Sequence, residues 1–210
     1  AYALISGDWS LDVCSSDLKY EGEDGNNVVL TIDPHLQDIC YRAMKGHKGS
    51  IVALQPKTGE TLAMVSLPSF DPNMFSFGIS QKDWDAINSD KNYPLINRTV
   101  KAHVPGSTFK PFTAAIGLEE DVITPDTVVE EAKNKEWLPS PKWGDLPIRR
   151  VDHPDGEVNL RNALIWSDNI YFAWTGLKLG GDTLDKYADK YGLGDSMPFA
   201  LTIDKSQIKE

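Results

Sequence analysis

The chain has 210 residues, 40% hydrophobic and 25% charged, which is the balance of a globular domain long enough for one sizeable core. A net charge of −10 with no basic run excludes a nucleic-acid surface or an anionic-membrane surface, both of which need clustered Lys and Arg. Two cysteines, Cys14 and Cys40, are too few for a disulfide framework and no Cys/His spacing fits a zinc site, so neither metal nor cofactor is expected.

Residues 1–18 (AYALISGDWSLDVCSSDL) have neither helical nor strand period. The run from Gly7 to Leu18 resembles the translated read-through of a sequencing-library adapter, and residues 1–18 are expected to be a non-native, artefactual segment, with 19–27 a polar linker. No stretch approaches the roughly 18 apolar residues that span a bilayer, so any membrane anchor or export signal is expected outside this chain.

Val28 to Ile32 reads as a short strand running into Asp33-Pro34. Asp33 suits an N-cap and Pro34 a first helical position, with Leu36, Ile39, Cys40, Ala43 and Met44 at helical spacing before Gly46 ends the helix. Ser50 to Gln55 and Glu60 to Ser66 read as a hairpin joined by Pro56-Lys57-Thr58-Gly59, and Ser80 as the cap of a short helix carrying Trp84 and Ile87. A helix is predicted to start at Ser107 and to lie buried through Phe112, Ala115, Ile116 and Leu118, with Pro111 tolerated in its first turn. Residues 123–156, rich in Pro, Trp and charge without period, predict a long surface excursion. Asn159 is placed as the cap of a further helix, and Gly180-Gly181 ends the apolar run from Ile170. Asp182 is placed as the cap of a last helix whose face is Leu184, Tyr187, Ala188 and Tyr191.

Two short motifs carry the chemistry. Ser107-Thr108-Phe109-Lys110 follows Pro105-Gly106, and Ser167-Asp168-Asn169 comes after the excursion. A serine hydroxyl is a weak nucleophile at neutral pH and needs a base within hydrogen-bond reach and donors for the oxyanion it creates. Positions i and i+3 share a helix face, so Lys110 can bring a neutral amine to Ser107, and burial would lower its pKa. The Ser107 N–H supplies one oxyanion donor at the helix start. Ser167 suits proton relay to a leaving amine and Asn169 suits orientation of Lys110 and a substrate amide, with Asp168 pointing away. Ser-x-x-Lys alone occurs by chance and Ser-Asp-Asn alone is an ordinary cap. Their joint occurrence, in order and each beside a predicted buried helix, makes Ser107, Lys110, Ser167 and Asn169 the candidate catalytic residues.

Residues 27–210 resemble the transpeptidase domain of bacterial penicillin-binding proteins, most closely the monofunctional class B enzymes of Gram-positive type. The resemblance rests on Leu30 to Asp33, Ile51 to Ser66, Ser69 to Asn73, Pro105 to Lys110 and Ser167 to Phe172. It implies an α+β fold of the serine β-lactamase/transpeptidase type, helices packed on an antiparallel sheet, with residues 28–210 its N-terminal portion. It also implies acylation of the serine by a peptidoglycan stem peptide, transfer to an amine on a neighbouring strand, and trapping by β-lactams. Cell-wall synthesis machinery is the implied partner and the extracytoplasmic face of the membrane the implied location, with no nucleic acid involved.

The family's third motif, Lys-Thr-Gly or Lys-Ser-Gly, has no match after Asn169; Lys57-Thr58-Gly59 precedes the nucleophile and reads as a hairpin turn. The C-terminal strands are therefore expected to be missing, and the fragment to be inactive alone. A class A β-lactamase would need a glutamate after Ser-Asp-Asn to activate a deacylating water, and the only one is Glu210. A β-lactam-sensing or scaffold domain without turnover stays open, as does a non-catalytic domain. None of His35, His47, His103 and His153 is paired at ligand spacing; His103 is expected to be a neighbour of the site and Trp166 a core residue.

Overall fold

A computed structural model describes residues 27–76, 78–151 and 155–207, so the segment read as non-native and nearly all of the linker lie outside the described residues. The chain is mixed α and β, the strand pairing among the described residues is antiparallel, and the chain divides into two compact units, Ala1–Thr99 and Val100–Glu210.

In the first unit, α1 (Pro34–Met44) begins as the sequence predicts: the Asp33 carboxylate accepts from the N–H groups of His35 and Leu36, and Pro34 takes the first turn. Strands β1 (Gly49–Leu54) and β2 (Thr61–Leu67) pair from Gly49↔Leu67 to Leu54↔Thr61, with an irregularity at Ala53/Leu54. Strict alternation along β2 buries Ala63, Val65 and Leu67 with Cys40 of α1. Lys57-Thr58-Gly59 lies exposed in the intervening turn, where Gly59 has φ 78°.

The strand expected at Val28 to Ile32 does not form. Gln37 takes the outer edge of β2, donating from Nε2 to the Met64 carbonyl (2.8 Å) and accepting from the Met64 N–H (2.7 Å). The leading segment touches β2 only near its start, through Thr31 Oγ1 to the Thr61 carbonyl (2.6 Å) and the Asp33 N–H to the Leu62 carbonyl (2.9 Å). Val28, Val29 and Leu30 stay exposed. Farther along, α2 (Gln81–Ser89) is capped by Ser80, and the buried Arg98 guanidinium donates to the carbonyls of Pro68, Asn92, Tyr93 and Ile96.

The second unit is built on α3 (Lys110–Glu119), α4 (Leu160–Ile165), α5 (Asn169–Leu179) and α6 (Gly181–Lys190). The predicted helix start at Ser107 is displaced to Lys110, with a 3₁₀ turn over Gly106–Phe109 ahead of it. Pro111 has no N–H to offer the Ser107 carbonyl, which accepts from Lys110 instead and so closes an i→i+3 bond. One side of α3 is buried (Thr113, Ala114, Ile116, Gly117), while Phe112 and Leu118 keep 47% and 40% exposure, so the helix is not enclosed on every side.

The excursion is less superficial than its composition suggests. Ile123, Val129 and Ala132 enter the core with Val158, Ala163, Ile170, Tyr171 and Phe172, and two further strands, β3 (Glu136–Trp137) and β4 (Ile148–Arg149), pair there. Asn159 caps α4 through the Asn162 N–H as predicted. Asp182 does not cap α6: Gly180, at φ 76°, is the boundary residue, and Asp182 falls in the first turn, where its charge still favours the positive helix end.

Candidate active site

The start of α3 and the start of α5 come together through one amine. Lys110 Nζ donates to the Ser167 carbonyl at 2.6 Å, to Ser167 Oγ at 3.0 Å and to Asn169 Oδ1 at 2.6 Å. An ammonium has three protons, and three acceptors are provided. Phe172, one turn along α5, sets its ring centroid 5.9 Å from the same nitrogen. Burial pulls the Lys110 pKa below the ordinary lysine value of 10.5, and the negative charge of Asp168 works against that shift.

Local sequence explains why these groups meet. Asp168 is the N-cap of α5: its fully buried carboxylate accepts from the Tyr171 N–H at 2.7 Å. That fixes Asn169 as the first helical residue, and Asn169 Nδ2 donates to the Arg149 carbonyl at 2.8 Å, leaving Oδ1 for the lysine. Ser167 sits at φ 52°, a left-handed conformation that costs a non-glycine residue about 1 kcal/mol or more. Both its carbonyl and its hydroxyl face Lys110.

Ser107 occupies the 3₁₀ turn one i+3 step before Lys110, and side chains at that spacing eclipse in a 3₁₀ turn. It is exposed, and neither its hydroxyl nor its N–H has a hydrogen-bond partner among the described residues. The structure thus joins Lys110, Ser167 and Asn169 by hydrogen bonds and puts Ser107 on the same turn as the lysine without a direct bond between the two. Trp166 packs against the core of the second unit, as expected. Sequence reasoning missed the Arg149 carbonyl and the Phe172 ring. A main-chain acceptor carries no residue signature, and Phe172 reads as ordinary core. Among the described residues no group of His, Cys, Asp and Glu is arranged to hold a metal ion, and no helix is long and apolar enough to cross a membrane.

The family model for the penicillin-binding protein transpeptidase domain matches residues 49–210. The chain belongs to this family. It is 45% identical over 188 residues to penicillin-binding protein 3 of Bacillus subtilis, covering 90% of this chain and 28% of that protein. To the peptidoglycan D,D-transpeptidase MrdA of Escherichia coli it is 33% identical over 189 residues, covering 87% of this chain and 28% of that protein. The penicillin G acyl-enzyme complex of penicillin-binding protein A from M. tuberculosis matches with a TM-score of 0.73 at 30% identity, covering 86% of this chain and 43% of that one. The chain thus spans 28% of the length of each of these two curated relatives. The higher identity to the Bacillus protein agrees with a Gram-positive type.

Proposed function

We propose that this chain carries the nucleophile of a serine D,D-transpeptidase that crosslinks peptidoglycan stem peptides and is acylated by β-lactams. The observation that carries the reading is the Lys110 amine held by Ser167 and Asn169 beside Ser107. Two relatives support it by name, one a peptidoglycan D,D-transpeptidase and one solved as a penicillin G acyl-enzyme.

A neutral Lys110 has two protons and one lone pair. It keeps two of its three acceptors and turns the lone pair to the Ser107 hydroxyl. Ser107 Oγ then bonds to the carbonyl carbon of the penultimate D-alanine while its proton moves to Lys110 Nζ. The Ser107 N–H, free of any hydrogen-bond partner among the described residues, stabilises the oxyanion. As the C–N bond breaks, Ser167 Oγ passes a proton to the departing D-alanine amine and recovers one from Lys110. The acyl-serine is then attacked by an amine of a neighbouring strand, the same groups moving the proton in reverse. With a β-lactam the leaving nitrogen stays tethered to the acyl group. No metal or cofactor enters these steps.

No Lys-Thr-Gly or Lys-Ser-Gly triplet follows Asn169, so this reading names one oxyanion donor, the Ser107 N–H, and assigns no second one. Cell-wall synthesis machinery as partner and the extracytoplasmic membrane face as location follow from the same reading. The full-length protein treated with a fluorescent penicillin is expected to carry one covalent label, lost to background in Ser107→Ala. Label retained on Ser107→Ala would overturn the assignment.

A further inference from the structure

Asn169 holds the Lys110 amine only while its carboxamide faces the right way. Its Nδ2 donates to the Arg149 carbonyl at 2.8 Å and its Oδ1 accepts from Lys110 at 2.6 Å, so half a turn of the amide would break both bonds. The position of the Arg149 carbonyl therefore sets the position of the amine. Yet the β3–β4 ladder has only the pairs Glu136↔Arg149 and Trp137↔Ile148, too few to hold itself in water. The Arg149–Glu136 ion pair, with side chains 76% and 59% exposed, adds little.

The next residue is placed differently. The Arg150 N–H donates to the Lys135 carbonyl at 3.2 Å, prolonging the pairing by one bond. Its side chain is only 4% exposed, Nη2 reaches Asp155 Oδ1 at 3.0 Å, and Nη1 is buried with no hydrogen-bond partner among the described residues. Asp155 itself is 95% exposed. Burying a guanidinium with a single anionic partner costs free energy that packing must offset, so this pair is a weak source of stability. What it does locally is pin the end of β4 directly beyond the carbonyl that orients Asn169.

We propose that Arg150 is a positioning residue for acyl transfer, fixing the Arg149 carbonyl that holds the Asn169 carboxamide and, through it, the Lys110 amine. This rests on the transpeptidase reading above. The test measures, on the full-length protein, the limiting rate of acylation by a β-lactam and the affinity of the preceding non-covalent complex. Arg150→Met is expected to slow acylation about tenfold, as a small misplacement of a reacting group does, with affinity unchanged. In an Asn169→Ala background the same substitution is expected to have no further effect, because a residue acting through Asn169 has nothing left to position.

A wild-type rate in Arg150→Met, or losses that multiply in the double variant, would overturn the inference. Should Arg150→Met fail to fold, Asp155→Asn decides, its changed side chain being solvent-exposed. It is expected to lose about threefold in rate, again absorbed by Asn169→Ala; a wild-type rate or an independent loss counts against Arg150. A wild-type protein that takes no label at Ser107 would instead remove the transpeptidase reading itself.

Discussion

In the proposed reading the chemistry turns on Lys110, because the three acceptors around it favour the ammonium while the proposed acyl transfer needs the amine. Burial lowers its pKa from 10.5 and Asp168 opposes that shift. The unfolded chain therefore binds more protons in the window between the lowered value and 10.5, and the lysine's penalty on the fold is relieved as pH rises through that window. Activity has the same sign: the neutral fraction grows with pH, so the β-lactam acylation rate of the full-length protein should climb with a midpoint below 10.5. Asp168→Asn keeps an oxygen for the Tyr171 N–H and removes the opposing charge. Its midpoint should move farther down, and a pH–rate curve that moves up instead would contradict this account. The sequence alone pointed to Ser107, Lys110, Ser167 and Asn169, and the structure joins the last three by hydrogen bonds. The sequence did not show that the amine rests on Ser167 and Asn169 rather than on Ser107, because that depends on the backbone turn at Ser167 and on a carbonyl of β4.

At the scale of elements, helix α3 shows where sequence patterns stop being sufficient. Gly117 reads as one of several small residues, but its role is set by neighbours: a Cβ there would lie 2.9 Å from Ile123 Cγ1, 3.0 Å from Ile123 Cδ1 and 3.0 Å from Thr175 Cγ2. Ile123 and Thr175 are both buried and have little room to yield. Alanine would gain about 1 kcal/mol of helix propensity and lose about 1–3 kcal/mol to overpacking, so Gly117→Ala should lower the urea midpoint. Gly176 in α5 is the control, since a Cβ there meets nothing within 4 Å. Gly176→Ala should raise the midpoint by the equivalent of up to about 1 kcal/mol. Equal shifts in the two variants would mean that propensity, not packing, governs both.

Caps and alternation were the readable part of these elements: Asp33, Ser80 and Asn159 each accept a backbone N–H where predicted, and β2 alternates residue by residue. Features set by competition between segments were not readable. Val28 to Ile32 has strand composition but meets an edge already taken by Gln37, and Ser107 has helix context but precedes a proline that forces a 3₁₀ turn.

Among the described residues, the two units are unequally provided with core. The first buries Cys40, Ala63, Val65 and Leu67 between one helix and a two-stranded hairpin, whereas the second encloses ten residues in its main cluster, from Ala114 to Phe172. Small clusters over few strands are marginal, so the units should differ in local stability. Composition could not show this, since one overall hydrophobic fraction averages over both. Cys40 offers a direct reading because it is a buried free cysteine, only 9% exposed as a residue, and labelling its thiol requires α1 to lift from β2. In a Cys14→Ser background, the urea dependence of Cys40 labelling by a thiol reagent should run ahead of the loss of hydrogen-exchange protection in α5, where Ile170, Tyr171 and Thr175 are fully buried. Coincident transitions would show instead that the smaller cluster is held by the larger fold and that the chain opens as one cooperative body.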